Sequence, residues 1–195
     1  MTFQEKAREV ARLQREYSRR LEEIRADKTL SALGRRQLIE AEHQKTSAAI
    51  AKLRREYEAE REQERRELQR RAFGVPHFNL ATPAERAQIA EGYRTAIDRA
   101  ERAKDPTEAL ALLKRADRTG DSHLGRAVAL VAAEKGWHGV LTEAVNLGMA
   151  DHDAVSELQA HIMGDSPQAT FQRRMAFAGP MRPPELDRPL PPEVA

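Results

Sequence analysis

The sequence predicts an all-α protein: an N-terminal antiparallel helical hairpin of coiled-coil type, then a small helical array, then an extended Pro-rich tail. Three observations predict it. Two apolar stripes in the N-terminal third recur in steps of three and four residues. Downstream, helix-start signals repeat at short intervals. No stretch alternates apolar and polar residues as a strand would. The expected division is 1–73 for the hairpin, 74–178 for the array and 179–195 for the tail.

The first stripe is Phe3, Ala7, Val10, Tyr17, Leu21 and Ile24, with Gln14 in the remaining slot. Such spacing places all of them on one narrow face, and a polar residue within a seam tends to fix register at a cost in stability. The segment holds neither Pro nor Gly and is rich in good helix formers. A break follows at Asp27–Gly34, with Ser31 as the expected cap of a second helix. The second stripe is Ile39, His43, Thr46, Ile50, Leu53 and Tyr57. Beyond it the chain reads EREQERRE, without an apolar residue.

That stopping point argues for an intrachain pair. Folding the two helices antiparallel about Ser31 sets Ile24 beside Ile39, Val10 near Leu53 and Ala7 near Tyr57. The second stripe thus ends where the first helix runs out. Val10, Tyr17, Leu21, Ile24, Ile39, Ile50, Leu53 and Tyr57 are the predicted seam. The hairpin would be about 40 Å long, and its second helix would overshoot by about ten solvent-facing residues.

In the array, Thr82-Pro83-Ala84-Glu85 predicts a capping box with Pro at the first helical position, and Asp105-Pro106-Thr107-Glu108 repeats the arrangement. Gly74 suits the position just past a helix end, and Pro76 forbids continuation. Asp121-Ser122-His123 leads into Leu124, Ala127, Val128, Leu130 and Val131, a helix apolar on most sides and expected at the centre of the core. Gly136 and Gly148 bound a sixth helix. Asp151 or Asp153 caps a seventh, and Ser166-Pro167 opens a short eighth carrying Phe171 and Met175. The tail, with Arg188-Pro189-Leu190-Pro191-Pro192, favours polyproline conformation and is expected to be an extended arm.

Composition narrows the function. The chain has 195 residues and no cysteine, so thiolate chemistry and a disulfide framework are excluded. No apolar run approaches a membrane span, and the charged N-terminus is unlike a signal or transit peptide. Residues 1–73 carry 19 Lys and Arg against 14 Asp and Glu, and residues 74–195 carry 14 against 17. The basic surplus therefore lies in the hairpin, where Arg65, Arg66, Arg70 and Arg71 are the candidate phosphate contacts. Glutamates interleave with that arginine series at helical spacing, and aromatics are only 5% of the chain, so a self-neutralised helix is preferred to a nucleic-acid interface.

No catalytic, cofactor or metal motif stands out. His152 and His161 lie too far apart in sequence for two ligands on one helix face. Ser122 beside His123 is adjacency, not a nucleophile–base geometry. His138 next to Trp137 reads as a helix-start residue, and His43 as a polar seam residue. Leu30 and Leu33, at the hairpin turn with no evident internal cover, are the partner-binding candidates.

Two stretches, IRADKTLSALGRRQLIEAEHQKT (24–46) and ALLKRADRTGDSHLGRAVALVAAEKGWHGVL (111–141), resemble small helical proteins of unassigned role from the virion and assembly genes of actinobacterial phages. The resemblance implies a non-enzymatic structural or assembly protein of a phage-like particle. Its partners would be other virion or assembly proteins, in the host cytoplasm or within the particle, with oligomers formed inside an assembly. It carries no catalytic residues to transfer. A nucleic-acid-associated accessory role for the basic hairpin is the alternative.

Overall fold

A computed structural model describes residues 2–76 and 78–187, and every regular element among them is helical. The helices are α1 (Phe3–Ala26), α2 (Ala32–Phe73), α3 (Pro83–Glu101), α4 (Pro106–Thr119), α5 (Ser122–Glu134), α6 (His138–Asn146), α7 (His152–Met163) and α8 (Pro167–Ala176). Short 3-10 turns occupy Phe78–Leu80 and Pro184–Leu186.

Local chemistry sets most of these boundaries. Thr2 and Glu5 form a reciprocal box at the start of α1, and Thr82 and Glu85 form another at the start of α3. In the α1–α2 turn the Asp27 carboxylate accepts both the backbone N–H and the hydroxyl of Thr29, at 2.8 and 2.6 Å. Those two bonds hold its carboxyl below the usual range. Ser31 Oγ accepts the Gly34 N–H at 3.1 Å, and Gly34 itself lies within α2.

Two starts differ in detail from the sequence reading. Asp105 caps α4 by accepting from Thr107 and Glu108, but the Glu108 carboxylate takes the N–H of Lys104 rather than that of Asp105, so no reciprocal box closes there. Asp151, not Asp153, caps α7 through the Ala154 N–H. Gly74 also plays another role than a left-handed cap. A Cβ there would sit 2.2 Å from the Arg70 carbonyl oxygen, so close backbone approach, not positive φ, requires glycine.

The chain divides into two compact units. One comprises residues up to Glu62 together with those from Asp165 onward, and the other runs from Gln63 to Gly164. This differs from the linear division at 73 and 178, for two physical reasons. The last turns of α2 bury Leu68, Ala72 and Phe73 in the second unit's core, and the segment after α7 returns its apolar residues to the first unit.

In the first unit, Tyr17, Leu21, Ile24 and Ile39 form one buried cluster with Leu186, and Val10 and Ile50 form another with Phe177. Side chains pair across the two helices: Phe3 with Tyr57 and Lys6 with Glu60 near the start of α1, and Tyr17 with His43 farther along it. The C-terminal segment is tied along its described length. Gln14 Nε2 donates to the Ala178 carbonyl at 2.9 Å, Arg36 donates to the Leu186 carbonyl at 3.2 Å, and Arg25 pairs with Glu185 at 2.6 Å. The expected arm is therefore seated as far as Asp187. The Arg188–Pro192 motif lies outside the described residues.

In the second unit α5 packs against α3, α4 and α6 and buries Leu124, Ala127, Val128, Ala129, Val131 and Ala132. Ala, Gly and small aliphatic residues at these contacts allow close helix approach. Gly125 touches the Met149 side chain, leaving no space for a Cβ.

Candidate interaction surfaces

The predicted seam residues Val10, Tyr17, Leu21, Ile24, Ile39 and Ile50 are buried, whereas Leu53 and Tyr57 are half-buried at the cluster around Phe177. Three polar side chains join them. Lys6 is 1% exposed and donates to Glu60 at 3.0 Å. Tyr17 hydroxyl and His43 Nδ1 lie 3.2 Å apart, and burial raises the phenol's pKa. Thr46 is buried nearby in sequence. Gln14, the polar residue of the first stripe, spends its amide on Ala178.

At the turn, Leu30 is not uncovered. It packs against the cluster of Tyr17, Leu21, Ile24, Ile39 and Leu186. One member of that cluster, Leu186, comes from the C-terminal segment, which no periodic pattern in α1 or α2 could announce. Leu33 is half-buried, and Leu38, six residues past the first residue of α2, is 42% exposed. Leu38 is thus the exposed apolar side chain near the turn, with Leu33 half-buried nearby in sequence.

Of the candidate phosphate contacts, Arg71 reaches Glu157 through both terminal nitrogens at 2.8 and 3.3 Å, which raises its pKa. Arg70 lies 4.0 Å from Glu67, Arg66 is also engaged, and Arg65 is exposed. Upstream, Arg54 pairs with Glu58 and Arg61 with Asp165, each within 2.8 Å. The carboxylates interleaved on α2 and those brought in by other segments hold much of this arginine series.

The end of α2 is received by three donors. The Asp151 N–H bonds to the Ala72 carbonyl at 3.0 Å, Tyr93 hydroxyl to the Phe73 carbonyl at 3.2 Å, and Arg126 to the Gly74 carbonyl at 3.0 Å. These satisfy the orphan acceptors of a helix terminus, and the cation suits its negative end. Burial pushes the Tyr93 phenol up to about 12.

The histidines are dispersed. His152 pairs with neighbouring Asp153 at 3.1 Å with both exposed, while His161 faces Glu64 at 3.5 Å. His138 is exposed at the start of α6, and His123 is half-buried beside Tyr93. Among the described residues no three His, Asp or Glu side chains converge as metal ligands, and no helix is long and apolar enough to cross a membrane.

Sequence reasoning missed Phe177 and Leu186 as structural anchors. Phe177 falls just past the end of α8 and Leu186 is a lone apolar residue in a Pro-rich stretch, so neither belongs to an apolar period, and the available signal was only that such residues have something to bury. No protein-family model, curated protein or solved structure matches the chain.

Proposed function

We propose that α1, α2 and the C-terminal segment make an antiparallel coiled-coil hairpin locked by its own chain, and that the protein is a non-enzymatic structural or assembly component acting through protein–protein contacts. The observation that carries this reading is the placement of Phe177 and Leu186 in the two apolar clusters between α1 and α2. A hairpin stiffened in this way presents its turn on a rigid helix pair, as an adaptor does. Leu33 and Leu38 are the contacts it offers there. The resemblance of residues 24–46 and 111–141 to phage virion and assembly proteins supports a phage-like particle as the setting. The nucleic-acid alternative is weaker, because carboxylates hold Arg54, Arg61, Arg70 and Arg71 of the α2 series.

The test is co-assembly. Leu33→Ser with Leu38→Ser changes accessible positions and should leave helicity and melting unchanged while abolishing co-purification with particles. Co-purification at the wild-type level would remove the turn from the account.

A further inference from the structure

Carboxylates hold Arg54, Arg61, Arg70 and Arg71 of α2, but none holds a set of three arginines farther along the chain. Arg99 on the last turn of α3, Arg102 just past its end and Arg115 on α4 line one cleft of about 510 Å³, with Ala103, Ala111, Leu112 and Glu108. All three arginines are exposed, and among the described residues none of their guanidinium groups has a hydrogen-bond or ion-pair partner. The carbonyls at the end of α3 do not hold them, since Lys135 Nζ takes those of Glu101 and Ala103 at 3.1 and 2.9 Å. Glu108 also lines the cleft, but its carboxylate is bonded to the Lys104 N–H at 2.9 Å and to none of the three guanidiniums. This basic cleft lies in the part of the chain, residues 74–195, whose net charge is acidic.

We infer that this α3–α4 cleft docks an acidic protein segment: carboxylates flanking an apolar side chain, the carboxylates on Arg99, Arg102 and Arg115 and the apolar group on Leu112. Two features select that occupant. Guanidiniums without partners are suited to bidentate recognition of carboxylates, and charge complementarity of this kind fixes partner and register. The floor is apolar, with the Ala111 methyl exposed and Leu112 half-buried. A phosphodiester backbone offers nothing to cover that floor, and no aromatic side chain lines the cleft for a base to stack on. The assignment rests on the reading of the chain as a protein-binding module but not on the hairpin turn.

The experiment uses the full chain and three probes: a labelled helical peptide with glutamates around a leucine pair, the same peptide with serines for the leucines, and duplex DNA. The leucine peptide should bind saturably, about tenfold or more tighter than either other probe. Arg99→Glu, Arg102→Glu and Arg115→Glu together should weaken it at least about tenfold, the range of lost close charge pairs. The milder triple change to Gln, and Leu112→Ser, should each weaken it measurably with helicity unchanged. Leu33→Ser with Leu38→Ser should leave the affinity as it was, separating this cleft from the turn. Tighter binding of DNA, or leucine-peptide affinity indifferent to the arginine changes or to Leu112→Ser, would overturn the inference. So would loss of binding in the turn variant, or no saturable binding of the leucine peptide at all.

Discussion

Phe177 stacks on Tyr57 with ring centroids 5.4 Å apart and planes 29° from parallel, and Phe3 meets both rings, at 6.1 and 5.5 Å. One residue from beyond α8 thus closes the open end of the α1–α2 pair with an aromatic cluster. Phe177 is 5% exposed, so Phe177→Ala should leave a cavity and cost about 3–5 kcal/mol in denaturant unfolding. Leu186→Ala, at the other cluster, should cost about 2–4 kcal/mol. Phe171→Ser and Met175→Ser, on exposed α8 positions, should change stability by less than about 0.5 kcal/mol.

Lys6 supplies a second test. Its ammonium is buried against a half-exposed Glu60. Removing the partner strands a charge, whereas replacing the lysine by an isosteric apolar chain removes charge and need together. Lys6→Met should therefore change stability by about 1 kcal/mol or less, in either direction. Glu60→Ala should cost about 1–3 kcal/mol, water at the exposed side keeping the figure low. Equal losses in the two variants would show that the pair, and not the stranded cation, sets the energy.

The third prediction concerns pH. Tyr93 titrates near 12 in the folded chain against an ordinary value of 10.0, because burial disfavours the phenolate. A raised folded pKa gives stability that is complete below the unfolded value and lost as pH rises through the folded one. The second unit should therefore lose stability between about pH 10 and 12, and Tyr93→Phe should flatten that slope. Tyr93→Phe should also cost about 1 kcal/mol at neutral pH, since the Phe73 carbonyl loses its donor. An unchanged alkaline slope in this variant would place the titration elsewhere.

What the sequence disclosed, and what it concealed, divides along the range of the interaction. Thr82 with Glu85 and the caps Asp105, Asp121, Asp151 and Ser166 act within one turn, so their residue types announce them. The apolar stripes of α1 and α2 announce a face by their period. Phe177 and Leu186 have no period, and their partners lie far away in sequence. The cluster that Leu30 packs against, with Leu186 among its members, could therefore not be read in full. Gln14 read as a register device within a helix pair, when its amide is bonded to a third segment at Ala178. The α3–α4 arginines were passed over because charge was weighed by density along the chain. What distinguishes them is that three guanidiniums without partners line one cleft with Ala111 and Leu112, which only the fold reveals.

The fourth prediction addresses the α2 arginines. With most of them paired, changing Arg65, Arg66, Arg70 and Arg71 to Gln should leave duplex DNA affinity weak and nearly unchanged at about 0.15 M salt. Submicromolar binding lost in that variant, with a log–log salt slope near −0.9 per phosphate contacted, would favour the nucleic-acid role.

The central claim is that the chain's own C-terminal segment closes the α1–α2 hairpin. The absence of native cysteine makes it directly measurable. Ser18 and Met181 are both exposed and line the same cleft between α1 and the returning segment. Spin labels on cysteines at these two positions should give one short, narrow distance distribution. It should be unchanged when the labelled chain is diluted with unlabelled chain, and it should broaden in Leu186→Asp. A broad distribution in the otherwise unaltered chain, or a short distance that fades on dilution, would contradict it.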